Sequence, residues 1–260
     1  MTNEKIKLFI GISVAILMMS CAPMAVLASD FAGDSLLPSQ IFEKAQENYA
    51  SLASYSDEGQ IVATMNDTAI TNTFTIRLAR TNFYRIEWQQ NTESSYATNN
   101  TPVQAVWSSG AGNHLEKGHG PQIEENRDIA LAKANETSGG AAGTIPRTFF
   151  DMQWGDQLNG SGFNQNRQTN EKVGDVDCYV FSRESQGRTK TIWIGKQDFL
   201  IHQVRTFTTA EAMQLMMVKL SKGNSQMNPE IHSFTSTETH TNIVLNPRFL
   251  RSDFIPSSGE

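Results

Sequence analysis

From Ser56 onward the chain is written in period two. "EGQIVATMND", "AITNTFTIRLAR", "NFYRIEWQQ" and "PVQAVWSSG" follow one another, with Asn, Asp, Thr-Asn or Gly at the breaks. Alternating runs separated by turn residues predict an antiparallel meander. Every second residue of a strand shares a face, so Phe74, Ile76, Leu78 and Arg80 point one way on the second run. Tyr84, Ile86 and Trp88 do the same on the third. Strands resume as "VDCYVFSR", "RTKTIWIGK" and "DFLIHQVRTFT", and close with "HSFTSTETHTNIVL". A sheet of this length must cover its apolar face or roll up. Two or three helices cannot cover so many strands as a flat layer. The expected fold is therefore mainly β (α+β): a strongly curved antiparallel sheet wrapped around helices and a cavity, in preference to a sandwich.

The helical segments are few. "SQIFEKAQENYASLASY" predicts a helix starting at Ser39 after Pro38, with Phe42, Ala45, Tyr49 and Leu52 on one face. "ENRDIALAKANE" predicts a modest second helix. The stretch that follows, "SGGAAGTIPRTFF", is Gly-rich, small and apolar, suited to bending and to close backbone approach. Residues 155–170 read as an exposed polar loop. Between two late strands lies "AEAMQLMMVKL". Thr208 and Glu211 have capping-box spacing, and Gly223 is a natural stop behind Lys219 and Lys222. Met213, Met216, Met217 and Leu220 follow the i, i+3, i+4, i+7 pattern of one apolar face. Such a face is either ordinary core or, given methionine's adaptability, a surface for variable apolar partners. The insertion spans about 208–223.

Residues 1–28 read as a signal peptide: a basic "MTNEKIK", an apolar "LFIGISVAILMMS" and a small-x-small site at Val26–Ala28. The alternative is lipidation at Cys21, whose preceding Leu17–Ser20 is a poor lipobox. The mature protein is expected to start near Ser29 and to be exported to the periplasm. Residues 29–38 then form a linker, 39–256 one domain and 257–260 a tail. Removal of 1–28 takes away Lys5, Lys7 and Glu4, so the formal charge of −6 becomes one unit more negative. That argues against a nucleic-acid partner, which wants a basic stripe. Only Cys178 then remains, so no intramolecular disulfide is available and stability must come from the core. Charged residues are 18% of the chain, below the usual ~25%. Threonine and asparagine fill the difference, as on sheets with one wet face.

Catalytic signatures are missing: there is no G-x-S-x-G, H-E-x-x-H, Walker loop or C-x-x-C. Cys178 sits in a strand and reads as a small buried hydrophobe. His114 and His119 do not share a helix face, and His202, His232 and His240 lie in or beside strands. Asp175 and Asp177 fall at a turn. No acid–base constellation, metal or cofactor is expected, and the protein is read as a binder, not an enzyme. Arg80 stands out, because a guanidinium on an apolar face needs acceptors.

The runs "SYSDEGQIVATM", "FTIRLARTNFYRIEW", "AVWSSG", "KTIWIGKQDFLIHQVR" and "ETHTNIVLNPRFLRSDF" resemble, in order and spacing, the LolA-like superfamily of bacterial exported proteins over about residues 40–256. "SGGAAGTIPR" resembles a subset of uncharacterised members. The resemblance implies an incomplete barrel whose helices lid a cavity for acyl chains. The superfamily includes lipoprotein carriers, outer-membrane receptors and a periplasmic stress sensor. Its Arg-Pro arginine, which helps hold the lid shut in the carrier, falls on Arg80, with Thr81 in place of the proline. The expected ligand-binding residues are Phe74, Ile76, Leu78, Arg80, Ile86, Trp88, Trp107 and Trp193, with Met213, Met216, Met217 and Leu220 as lid. Backbone carbonyls of 138–146 are the expected acceptors for Arg80. The expected role is an exported carrier or binder of lipid or of lipoprotein acyl chains, monomeric, with a possible membrane-protein partner. The rival is a sensor or scaffold of the same fold that binds a protein and carries no ligand.

Overall fold

The computed structural model describes residues 36–65, 68–94, 97–116, 120–152, 158, 166–220 and 232–256, in a unit beginning at Leu36. The leader, most of the linker, most of the 155–170 loop, His119, Gly223 and the 257–260 tail lie outside them.

Among the described residues, twelve strands form one antiparallel sheet. The first meander comprises β1 (Ser54–Met65), β2 (Thr68–Ala79), β3 (Phe83–Ser94), β4 (Ala97–Asn100), β5 (Gln104–Ser109), β6 (Asn113–Glu116) and β7 (Pro121–Glu124). The second comprises β8 (Glu171–Val173), β9 (Val176–Ser185), β10 (Arg188–Gly195), β11 (Ile201–Thr208) and β12 (Phe234–Leu245). The spatial order is β7-β6-β5-β3-β2-β1-β12-β11-β10-β9-β8, with β4 pairing β3 beside this path. The two meanders meet where β1 pairs β12, from Tyr55 opposite Leu245 to Met65 opposite Phe234. The outer strands β7 and β8 pair only inward, so the curved sheet stays an open half-barrel. The short strands β4, β6, β7 and β8 were not legible as separate runs, since four residues or fewer carry little alternation.

Alternation places the apolar residues. Phe74, Ile76 and Leu78 pair with Trp88, Ile86 and Tyr84 across β2 and β3, and Ile86 continues to Val106 and Leu115. On the other side of the junction Phe181, Ile192 and Val204 form the matching row. All of these are buried, each contributing roughly 1.5–3 kcal/mol for a full-sized side chain. One glycine is required on this face: Phe74's ring lies over Gly59, and a Cβ there would collide with it and with the Thr239 carbonyl.

Three helices cover the concave side. α1 (Pro38–Ser51) begins with proline in its first turn, and Gln40 accepts the Leu37 N–H at 2.8 Å. It buries Ile41, Phe42, Ala45 and Tyr49, and Leu52 follows at its end. α2 (Arg127–Thr137) is capped by Asn126, whose side chain accepts from Ile129 N at 2.9 Å. A tight turn through Gly139 and Gly140, both at positive φ, leads to α3 (Thr144–Phe149). Six residues in a Gly-rich run do not announce a helix, and α3 was not anticipated. α2, the turn and α3 form a plug burying Leu131, Ala134, Ala141, Ala142, Ile145 and Phe149. α4 (Ala210–Leu220) is the insertion between β11 and β12. Its cap is Thr209, which accepts from Ala212 N at 3.2 Å, one residue later than the expected Thr208.

Candidate ligand-binding face and its buried polar centre

Phe74, Ile76, Leu78, Ile86 and Trp88 stand together on the concave face, beneath α1 and the plug. Trp107 and Trp193 stand on the opposite face, because their strand neighbours Val106, Ile192 and Ile194 take the concave positions. Trp107 stacks on His114 at 5.2 Å, and Trp193 joins Cys178 and Val180 while donating to Glu171 at 2.9 Å. On α4, Met213 is buried, whereas Met216 and Met217 are exposed alongside Leu215 and Val218. The methionine face is thus open to solvent along most of its length. Leu220 ends the helix.

Arg80 reaches back to the end of α1. Its Nη2 donates to the Tyr49 carbonyl at 3.1 Å and its Nε to Leu52 at 3.3 Å, with Ala50 at 3.5 Å. These acceptors replace the expected carbonyls of 138–146. The last carbonyls of a helix are unsatisfied and lie at the negative end of its dipole, so they draw the guanidinium first. Arg80 still touches the plug, lying 4.3 Å over the Phe149 ring. Arg127 covers Phe150 in the same way at 4.3 Å. Desolvation lowers the Arg80 pKa, and the nearby Arg127 adds to it.

Where the two meanders join, the concave face turns polar. His240 Nδ1 lies 2.7 Å from Asp57 Oδ2, and the Tyr55 hydroxyl donates to the same oxygen at 2.8 Å. His240 Nε2 lies 3.2 Å from Glu238 Oε1. Thr144 of the plug donates to Glu238 Oε2 at 2.5 Å, and Asn72 donates to the Ser138 carbonyl at 3.3 Å. Phe74 meets the His240 ring edge-on at 5.4 Å. Burial alone would lower the imidazole. The charge and hydrogen bond of Asp57, with Glu238 behind them, outweigh it and push His240 up to about 10. Burial raises the Asp57 carboxyl, against the pull of His240. The side chains of Asp57 and His240 are completely buried. Asp57 and His240 are closed off from solvent, while Glu238 reaches the cleft beside the plug and, through Thr144, ties the plug to the sheet. The readings of the individual histidines missed this cluster. Its signal was present: Asp57, Glu238 and His240 each sit at an inward position of a strand, where a charged residue needs a partner.

A cleft of ≈ 470 Å³ between α1 and α3 is lined by Arg80, Thr148 and Phe149, among others, and two further clefts flank the plug. One of ≈ 700 Å³ is lined by Asn82, Asn113, Arg127, Asp128, Arg147 and Met152, among others. The other, of ≈ 410 Å³, lies between the plug and β10–β12. Neither is lined by Ile76, Leu78, Ile86 or Trp88, whose face the plug occupies in this conformation. Among the described residues no group of three or more His, Cys, Asp or Glu is placed to hold a metal ion. Likewise no described helix is long and apolar enough to cross a membrane.

The chain matches no family model and no curated protein sequence. Solved structures similar to it include LprF from Mycobacterium bovis, at 9% identity and TM-score 0.45, covering 86% of this chain and 97% of that one. A LolA superfamily protein from Nitrosomonas europaea is matched at 11% identity and TM-score 0.34, over 85% of this chain and 99% of that one. MucB of Pseudomonas aeruginosa, solved in complex with MucA, is matched at 10% identity and TM-score 0.44, over 85% of this chain and 61% of that one.

Proposed function

We propose that this is an exported, periplasmic protein that binds lipid, or the acyl chains of lipoproteins, on the concave face of its half-barrel. The observation that carries the reading is a continuous apolar face, from Phe74 and Trp88 to Val106 and Leu115, covered among the described residues mainly by α1 and the plug. The plug is held to the sheet by side-chain contacts and not by strand pairing, so it can lift without breaking the sheet. The exposed Leu215, Met216, Met217 and Val218 of α4 add an adaptable apolar surface for chains of varied shape. No catalytic role is assigned to any residue. Mass spectrometry of an organic extract of the native protein should recover lipid or acyl chains in near-stoichiometric amount. Absence of lipid, together with no binding of an apolar fluorophore, overturns the reading.

The second reading, a sensor or scaffold that binds a protein partner and carries no ligand, is favoured by the filled concave face. It predicts lipid-free native protein and a stable stoichiometric complex with an inner- or outer-membrane protein on cross-linking in cells.

A further inference from the structure

The ≈ 700 Å³ cleft beside the first turn of α2 has what the apolar face lacks, a set of amide side chains. Its volume falls within the range of about 300–1,000 Å³ that small ligands occupy. Asn113 of β6 is the most buried of these amides, only 8% exposed. Its oxygen accepts from the Tyr84 hydroxyl at 2.9 Å and from Asn82 Nδ2 at 3.4 Å. Burial raises the Tyr84 phenol, which therefore stays protonated and donates. This network orients the Asn113 amide, and its nitrogen is left without a hydrogen-bond partner among the described residues. Asn82 Nδ2 also donates to Ser108 Oγ at 3.2 Å, which leaves the Asn82 oxygen as a free acceptor. A side chain buried this far normally has its polar atoms bonded, so a free amide nitrogen lining a cleft points to a ligand. Charge in the cleft is balanced: Arg127 and Arg147 stand against Glu125 and Asp128, with Arg127 3.5 Å from Asp128. The remaining wall is aliphatic, from Ile129 and Ala132 of α2 and from Met152. β6 pairs β5 and β7 on its two sides, so an extended peptide cannot add to the sheet at Asn113. Neutral amides and balanced charges around an aliphatic wall suit an uncharged ligand that carries hydroxyls, an amide and a methyl group.

We propose that this cleft binds an N-acetylated hexosamine, as a free oligosaccharide or as a unit of a longer glycan. Asn113 Nδ2 donates to the acetamido carbonyl, Asn82 Oδ1 accepts its N–H, and its methyl group lies against Ile129 and Met152. Ring hydroxyls fall to Asp128 and to Arg147, whose buried Nε has no hydrogen-bond partner among the described residues. The inference is independent of the lipid-binding reading, whose face lies beneath the plug and does not line this cleft.

The test is calorimetry of the intact protein with N,N′-diacetylchitobiose, with glucose and glucosamine, which lack the acetyl group, as controls. A parallel arm measures co-sedimentation with insoluble chitin. Wild type should bind the disaccharide saturably, and Asn113→Ala should weaken that binding by about tenfold or more through the lost donor. Asn113 is buried, so Asp128→Ala, at an exposed position, is the second variant. It should keep the wild-type circular dichroism spectrum and weaken binding several-fold. Chitin binding that the variants lose, with the disaccharide silent, assigns the polymer as the ligand. The proposal is overturned if neither the disaccharide nor chitin binds wild type, or if glucose binds as tightly as the disaccharide. It is equally overturned if Asp128→Ala and a folded Asn113→Ala both bind as wild type does. Retained binding of an apolar fluorophore in those cases leaves the lipid reading standing. Sugar binding without fluorophore binding does the reverse.

Discussion

At the scale of single residues, the densest set of expectations centres on His240. Its folded pKa, about 10, lies above the ordinary imidazole value of 6.5, so its interactions stabilise the fold fully below the latter. That contribution is lost as pH rises through about 10, and urea midpoints should fall across pH 7–10 in wild type. His240→Gln strands Asp57 and Glu238 as buried carboxylates without their cation. Breaking a buried pair costs about 3–5 kcal/mol, so the variant should unfold far earlier in urea and lose most of that slope. Should His240→Gln keep the wild-type midpoint at pH 7, the imidazolium assignment is wrong. Arg80 is exposed, and its bonds to the end of α1 are correspondingly discounted. Arg80→Leu should cost only about 1 kcal/mol, yet alter the off-rate of an apolar fluorophore because Phe149 loses its cover. Equal affinity and equal off-rate would remove Arg80 from the lid. Cys178 lies on the other face with Val180 and Trp193, its thiol pushed up to about 12 by burial. Cys178→Ala should cost at most a few kcal/mol and leave ligand binding unchanged, and the native thiol should resist iodoacetamide.

At the scale of elements, α4 and the plug make opposite demands. α4 keeps one methionine buried and shows four apolar side chains to solvent, an arrangement that hydrophobic burial alone does not favour. Met216→Ser with Met217→Ser removes apolar surface that the folded protein does not bury. It should shift stability by no more than ~0.5 kcal/mol while weakening fluorophore capture several-fold. Unchanged capture would reduce α4 to an ornament of the sheet. The plug, in contrast, is latched at named points: Thr144 on Glu238, Asn72 on Ser138, and the two arginines over Phe149 and Phe150. Local opening should therefore be cooperative across residues 138–150. Hydrogen exchange in that segment should accelerate when an apolar ligand is added, with β1 and β12 unaffected.

At the scale of the whole molecule, the fold is two meanders joined along one long strand pair. β1 and β12 are about as far apart in sequence as the domain allows, yet they form the centre of the sheet and carry the buried Asp57, Glu238 and His240. The C-terminal segment then crosses the convex side, where the Asp253 carbonyl accepts from Arg77 at 3.3 Å and from Arg85 at 3.4 Å. Phe254 packs there on Phe83 and Phe249. Residues 1–28 are proposed to direct export, with the mature chain starting near Ser29 without an acyl group. Incorporation of labelled palmitate in wild type and its loss in Cys21→Ala would show lipidation instead.

Local pattern was enough for much of this. Phe74, Ile76, Leu78, Ile86 and Trp88 were legible as one face because alternation is a property of neighbouring residues, and α1 because its apolar spacing is. So was a curved sheet, since the count of strands against helices leaves few ways to cover an apolar face. Other features depend on where distant segments meet. The Asp57–His240–Glu238 cluster exists only because β1 pairs β12 in one register, and no spacing within either strand reports that pairing. Arg80 was legible as a residue in need of acceptors, but packing chose the end of α1 over the plug. Trp107 and Trp193 stand outside the half-barrel because a single-residue difference in strand phase decides the face. Arg147 reaches both clefts beside the plug because a six-residue helix in a glycine-rich run folds back over the sheet, and tertiary packing alone holds so short a helix.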